Sequence, residues 1–152
     1  MKKSNRKTIL VIHGPNLHLL GKREPKIYGK FSLEDIDKSL IQKAKENKVA
    51  IEIMQSNSEG EIVEKITKSK YDMLIINPAA YTHTSVAIRD AILAIGQPAI
   101  EVHLSNIYKR EDFRKKSLIS DVSLGVITGF GRYSYILAFD AAISFFKSFN
   151  VK

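Results

Sequence analysis

The chain has 152 residues, 44% apolar and 26% charged, which suits one globular domain with its own core. It contains no cysteine, so disulfides, thiol nucleophiles and thiolate metal sites are excluded. Its formal charge is +8, but the lysines are scattered and no zinc-finger, helix-turn-helix or aromatic-basic motif accompanies them; the charge reads as a solvated surface or as a field favouring a small anionic substrate, with no nucleic-acid partner expected.

The basic start, residues 1–6, reads as a disordered tail. The apolar run that follows is too short for a signal-peptide core, and no run approaches the ~20 residues of a membrane span, so a cytoplasmic protein with no membrane partner is expected. TILVIH (8–13) is the first strand. Residues 32–47 carry Leu33, Ile36, Leu40, Ile41 and Ala44 at helical spacing, with Ser32 as N-cap. VAIEIMQ (49–55) is the second strand. The helix over 58–69 opens on Ser58 and Glu61 at capping-box spacing. DMLIIN (72–77) is the third strand, and a helix over 84–96 ends in Gly96. AIEVHL (99–104) is the fourth strand. A short helical turn is expected over 110–116, a fifth strand over 123–129, and a strongly apolar helix over 133–149.

This alternation predicts an α/β fold: a flavodoxin-like, doubly wound sheet of five parallel strands with helices on both faces, forming a single domain over 1–152. Ligands of such sheets sit beyond the carboxyl ends of the strands. The residues there are HGPN after the first strand, NPAAYTH after the third and HLSN after the fourth, so polar chemistry gathers on one rim.

The connection over 14–31 is far longer than the usual two to six residues. It carries Arg23 and Tyr28 between Gly21 and Gly29 and reads as an active-site lid or as a surface excursion. It is not a phosphate-binding loop, because Gly21-Lys22 and Gly29-Lys30 lack the following Ser or Thr. Gly129-Phe130-Gly131 lacks the third glycine of a dinucleotide fingerprint, Ser134 standing in its place. His13, His18, His83 and His103 show no metal-ligand spacing, so no metal is expected. Glu101 and His103, two apart on a strand, share a face. A carboxylate beside an imidazole favours its protonated form, which a general acid needs. Spacing alone leaves a structural pair equally open.

Four segments in order, GPNLHLLGKREPKIYG, QSNSEGEIVEKI, INPAAYTHTSVAIRDAI and EVHLSNIYKREDFRKKS, resemble the type II 3-dehydroquinate dehydratases of the shikimate and quinate pathways. The resemblance covers nearly the whole chain. It implies a hydro-lyase converting 3-dehydroquinate to 3-dehydroshikimate by anti elimination through an enolate, without cofactor, assembled as a dodecamer of four trimers. It implies Tyr28 as the base and Arg23 as the guanidinium that favours its phenolate. A free phenol ionises near pH ~10, so holding it anionic at neutrality takes about 4 kcal/mol. Asn16 corresponds to the group holding a water against the enolate oxygen, His103 to the general acid, and Glu101 to the carboxylate that orients it. Asn77, His83 and Arg114 correspond to contacts with the substrate hydroxyls, the backbone of Leu104 and Ser105 to a carboxylate cradle, and Asp90 to a residue reaching a neighbouring subunit's site. The chain departs from the family's usual NGPNLNLLG by His13 and His18, and one of these is expected to add an ionisation to the rate profile. The alternatives are a flavodoxin-like binding module without catalysis and a sugar-acid lyase or isomerase. A phosphoacceptor receiver would need acidic residues after the first strand, and His13-Gly14-Pro15 supplies none.

Overall fold

The structure, a computed structural model, describes residues 5–22, 26 and 30–149. Five strands, β1 Thr8–His13, β2 Ala50–Gln55, β3 Met73–Asn77, β4 Ala99–His103 and β5 Gly125–Thr128, form one parallel sheet in the order β2-β1-β3-β4-β5. The helices are α1 Leu33–Glu46, α2 Glu59–Lys68, α3 Val86–Ile95 and α4 Tyr133–Phe149. The flavodoxin-like, doubly wound arrangement expected from the sequence is the one formed.

Strand alternation sends consecutive residues to opposite faces. Ile9, Val11, Met73, Ile75, Ile100 and Val102 pack with α1 and α4, including Tyr135 and Phe139. Leu10, Ile12, Leu74 and Ile76 pack with α2 and α3. Each fully buried branched side chain contributes roughly 1.5–3 kcal/mol, so both layers are needed to hold the sheet between them.

The helix starts follow their caps. Ser32 Oγ accepts from the Asp35 amide at 3.1 Å while Asp35 accepts from the Ser32 amide at 2.9 Å, a complete capping box. At α2 the box is half-formed: Ser58 accepts from the Glu61 amide, but the Glu61 carboxylate turns to Ser56 Oγ instead. α3 begins after Ser85, which caps Ile88 at 2.9 Å, and ends at Gly96 in the left-handed region, φ 73°. The short helical turn expected over 110–116 is a 3-10 turn, Asp112–Arg114, preceded by another at Ile107–Lys109.

The sequence runs from β1 outward to β2, then back across to β3 on the other side of β1. Chain direction therefore diverges between β1 and β3, the switch point at which such sheets open a crevice. Of the long connection, the 3-10 turn Leu17–Leu19 is described, with Leu17 and Leu20 buried in the core beside α1. Arg23 and Tyr28, the lid residues singled out from the sequence, lie outside the described residues. Of the supposed basic tail, Arg6 is described and donates to the Val49 carbonyl at 3.0 Å. No helix among the described residues is long and apolar enough to cross a membrane.

Candidate active site

A cleft of about 210 Å³ opens at the carboxyl ends of β1, β3 and β4. Of the described residues picked from the sequence, Asn16, Asn77, His83, His103, Leu104, Ser105 and Arg114 all line it. Glu101 lies one layer behind. Asp90 is exposed on α3 and does not line the cleft.

The closeness of the β1 and β3 ends depends on Gly14. A Cβ there would lie 2.5 Å from the Pro78 carbonyl oxygen, and the Gly14 amide donates to the Asn77 carbonyl at 2.8 Å. Asn16 then takes a left-handed conformation, φ 68°, which asparagine tolerates better than most residues. Its amide donates to Asn57 Oδ1 at 3.0 Å, and Gln55 donates to the same oxygen at 3.1 Å. Tyr81 fixes Asn57 in turn by donating to its carbonyl at 2.7 Å. The Asn16 side chain makes no capping bond and sits at the cleft.

Glu101 is wholly buried in β4. An unpartnered carboxylate there would be very costly. Here Oε2 faces His103 Nε2 at 2.7 Å, Ser117 donates to Oε1 at 2.7 Å, and Ser120 donates to both oxygens at 3.0 and 3.1 Å. A carboxylate only accepts, so His103 carries a hydrogen on Nε2. Among the described residues its Nδ1 has no partner, and the ring lines the cleft. The protonated ring can therefore donate from Nδ1 to a bound molecule.

The serine segment is itself pinned. Arg89 on α3 donates to the Leu118 carbonyl at 2.8 Å and pairs with Asp121 through both guanidinium nitrogens, one at 2.9 Å. Hydrogen bonding to Arg89 holds the Asp121 carboxyl below the usual carboxylate range. The Leu118 amide donates to the Thr82 carbonyl at 2.8 Å. His83 Nδ1 donates to the Lys116 carbonyl at 2.7 Å, so Nδ1 carries a hydrogen.

The cleft's positive charge comes from Arg110 and Arg114. Glu111 ties them down: Arg114 Nε lies 2.9 Å and Arg110 Nε 3.8 Å from its Oε2. The Glu111 carboxyl is held low by its own backbone amide first, then by Arg114 and Arg110.

Sequence reading missed Ser117, Ser120, Arg89, Gln55, Asn57, Tyr81 and Arg110. One signal was present: a buried glutamate demands donors, and the serine-rich stretch 117–123 was the unexplained polar segment before β5. Nothing in the sequence announced the Asn57 or Arg89 contacts. His13, one of the two histidines of which one is expected to add an ionisation to the rate profile, is wholly buried, with Asp37 at Nε2 and Tyr135 at Nδ1.

Comparison with known proteins places this arrangement. The family model described as Dehydroquinase class II matches residues 7–143. A 3-dehydroquinate dehydratase of Francisella philomiragia is 60% identical over 137 residues, covering 90% of this chain and 94% of that protein. The type II dehydroquinase crystal structure from Butyrivibrio crossotus superposes with a TM-score of 0.87 at 43% identity, covering 90% of this chain and 97% of that one. That from Propionibacterium acnes gives 0.86 at 41% identity, covering 91% and 97%.

Proposed function

The chain belongs to the class II dehydroquinases, and from that premise we propose how its own residues divide the work of removing water from 3-dehydroquinate. The chain is a 3-dehydroquinate dehydratase, a hydro-lyase whose product is 3-dehydroshikimate. The observation that carries the division of labour is the His103–Glu101 pair, clamped by two serines behind and open at Nδ1 in front.

The base takes the proton from the carbon beside the ketone, and the electron pair moves onto the carbonyl oxygen as an enolate. Tyr28 fills this role, and the Arg23 guanidinium favours its phenolate. Asn16 holds a water against the enolate oxygen, a donor arrangement that stabilises charge as it develops. Its left-handed backbone, held by Asn57, presents the side chain to the cleft. The enolate then collapses, the carbon–oxygen bond one carbon further breaks, and the departing hydroxyl takes the Nδ1 proton of His103 to leave as water. Glu101 keeps the ring oriented throughout. Asn77, His83 and Arg114 hold the substrate hydroxyls and their neighbours. The backbone of Leu104 and Ser105 cradles the carboxylate, close to the Arg110 that donates to Ser105 Oγ at 3.3 Å.

Assembly is part of the reading. Exposed apolar side chains in and around the β5 edge, Leu124, Val126, Phe130 and Tyr133, favour burial against further copies. A dodecamer of four trimers, with Asp90 entering a neighbour's site, accounts for that surface. The cysteine-free composition supports a cytoplasmic location.

The test is turnover of 3-dehydroquinate by metal-free protein, followed by ultraviolet absorbance of the conjugated enone, alongside its mass in solution. Steady enone formation insensitive to borohydride is expected. Absence of product, or borohydride trapping of substrate on a lysine, overturns the reading.

A further inference from the structure

Gln55, Ser56 and Asn57 close β2 and stand beside the turn that carries Asn16. Gln55 Nε2 donates to the Gly14 carbonyl at 3.2 Å and to Asn57 Oδ1 at 3.1 Å. The Asn16 amide donates to the same Asn57 oxygen at 3.0 Å. The Asn57 backbone is held by other bonds. Beside it, the Ser56 amide donates to the His13 carbonyl at 3.0 Å, and the Ser58 amide to Ser56 Oγ at 2.9 Å. The Asn57 carbonyl itself accepts from the Tyr81 hydroxyl at 2.7 Å. Tyr81 belongs to the 3-10 turn Ala79–His83, so Asn57 ties together two parts of the rim.

Chemistry sets the direction of each link. A backbone carbonyl only accepts, so Gln55 turns its NH2 group to Gly14. The other hydrogen of that group meets Asn57, which must answer with oxygen. The Asn16 amide makes the same demand, so two donors fix the Asn57 side chain with its oxygen inward. Pro15 has no N–H, which leaves the Asn16 amide as the donor by which this turn is gripped from the β2 side. On its other side the Asn16 carbonyl accepts from the Leu19 amide at 3.0 Å. The peptide groups before and after the Asn16 Cα are therefore both pinned, and the residue is kept at φ 68°, ψ −1°. That left-handed region is sparsely used by residues with a Cβ and persists where the surroundings enforce it. The direction of the Asn16 side chain follows from those two angles.

We propose that Asn57 is a positioning residue for the elimination: its side-chain oxygen holds the Asn16 backbone in the left-handed turn that aims the Asn16 side chain at the water on the enolate oxygen, and its carbonyl ties that turn to the one carrying His83. The inference rests on the role proposed for Asn16. Asn57 stands behind the residues that line the cleft, so it acts through Asn16 and not on the substrate. The charge that Asn16 stabilises exists only once the proton has been taken. Asn57 therefore governs kcat and leaves KM nearly untouched.

The experiment measures kcat and KM for 3-dehydroquinate in the native chain, Asn57→Ala, Asn57→Asp, Asn16→Ala and the double variant carrying both alanines. Removing a preorganised donor costs about 10²- to 10³-fold in kcat, which is the fall expected for Asn16→Ala. Asn57→Ala leaves that donor present but unaimed, and its kcat falls by about 10- to 100-fold while KM stays within a few-fold of native. Asn57→Asp keeps an oxygen for both donors, so its kcat stays within a few-fold of native. Its added charge is read separately, in KM for an anionic substrate. In the double variant the Asn57 change adds little, because the group it aims is already gone. A general loosening of the fold would cost as much in either background. The proposal is overturned by native kcat in Asn57→Ala, by Asn57→Asp as slow as Asn57→Ala, or by full additivity of the two alanine changes. A second measurement needs no turnover: crystal structures of the substrate-free native and Asn57→Ala chains give the Asn16 backbone angles directly. Departure from the left-handed region in the variant is expected, and retention of the native angles overturns the proposal. An Asn16→Ala chain with native turnover sinks the role given to Asn16, and the Asn16 angles in Asn57→Ala then decide on their own whether Asn57 holds the turn.

Discussion

At the end of β4, His103 sets Nε2 against a carboxylate at 2.7 Å, and at the end of β1, His13 does the same. Both rings are buried. They differ at the other nitrogen. His103 Nδ1 meets the cleft, while His13 Nδ1 is closed off by Tyr135. They differ also in the carboxylate. Glu101 is wholly buried and satisfied by two serines, whereas the Asp37 side chain is 28% exposed. An acid beside an imidazole at a strand end is thus not in itself a catalytic signature. The open second nitrogen and the sealed carboxylate are what fit one pair to the proposed proton delivery, while the other is closed at both ring nitrogens.

The largest effect that would break this contrast lies at His103. On the role proposed for His103, His103→Ala removes the proton donor to the departing hydroxyl, and kcat is expected to fall by about 10²- to 10⁴-fold with the circular dichroism of the native sheet retained. Added imidazole restores part of the loss through the vacated space. Turnover within a few-fold of native would mean that the open nitrogen is not the donor.

The carboxylates come next. Removing Ser117 or Ser120 as a donor leaves part of a wholly buried charge unsatisfied, at about 1–3 kcal/mol for each Ser→Ala change. Asp37→Asn keeps an acceptor for His13 Nε2 at a site water can reach, and is expected to cost less than either. Urea midpoints of the three variants order them, and the reverse order would show that burial does not separate the two pairs.

How much of this was legible before the fold was known follows from distance along the chain. Periodicity gave the strands and helices, and Ser32 and Gly96 marked helix ends because caps are local. Glu101 and His103 could be placed side by side because two residues on one strand share a face. The rim clusters after β1, β3 and β4 were readable because parallel sheets put strand ends together. The serines that satisfy Glu101 are 16 and 19 residues away, and His13 meets a helix residue 24 positions on and another 122 positions on. Those contacts depend on how helices cross the sheet, which no local pattern states. The family resemblance supplied roles for Arg23 and Tyr28, on which the described residues are silent, and for Asp90, which stands exposed.

Alkaline pH separates the two regions without any change at His103. Burial pushes the Tyr135 phenol far above its ordinary range and Tyr71 up to about 12. Both folded values lie above the unfolded value of ~10, so below that pH the contribution is fully present. As pH rises past it the unfolded chain sheds protons that the folded chain retains, and stability falls by about 1.4 kcal/mol per pH unit for each such phenol. Tyr135→Phe is expected to flatten this fall between about pH 10 and 12 in urea titrations, leaving the slope due to Tyr71. An unchanged slope would mean that the Tyr135 phenol is not sealed.

The smallest effect concerns strain, which is found on the His13 side. Ala79, whose amide grips Asn77 Oδ1, sits at φ 52°, a left-handed conformation costly for a residue with a Cβ. Ala79→Gly relieves that strain, of order 1 kcal/mol, but also widens the freedom of the unfolded chain by ~0.5–1 kcal/mol. The two nearly offset, so the denaturation midpoint should rise only slightly. The sharper readout is KM. If the strained alanine holds the amide that orients Asn77, relaxing it loosens the grip on substrate and raises KM without lowering kcat to match. A rise in KM of the same size in a variant made behind His103, such as Ser117→Ala, would show that orientation is shared evenly across the rim, and that the two histidines differ less than their hydrogen bonds imply.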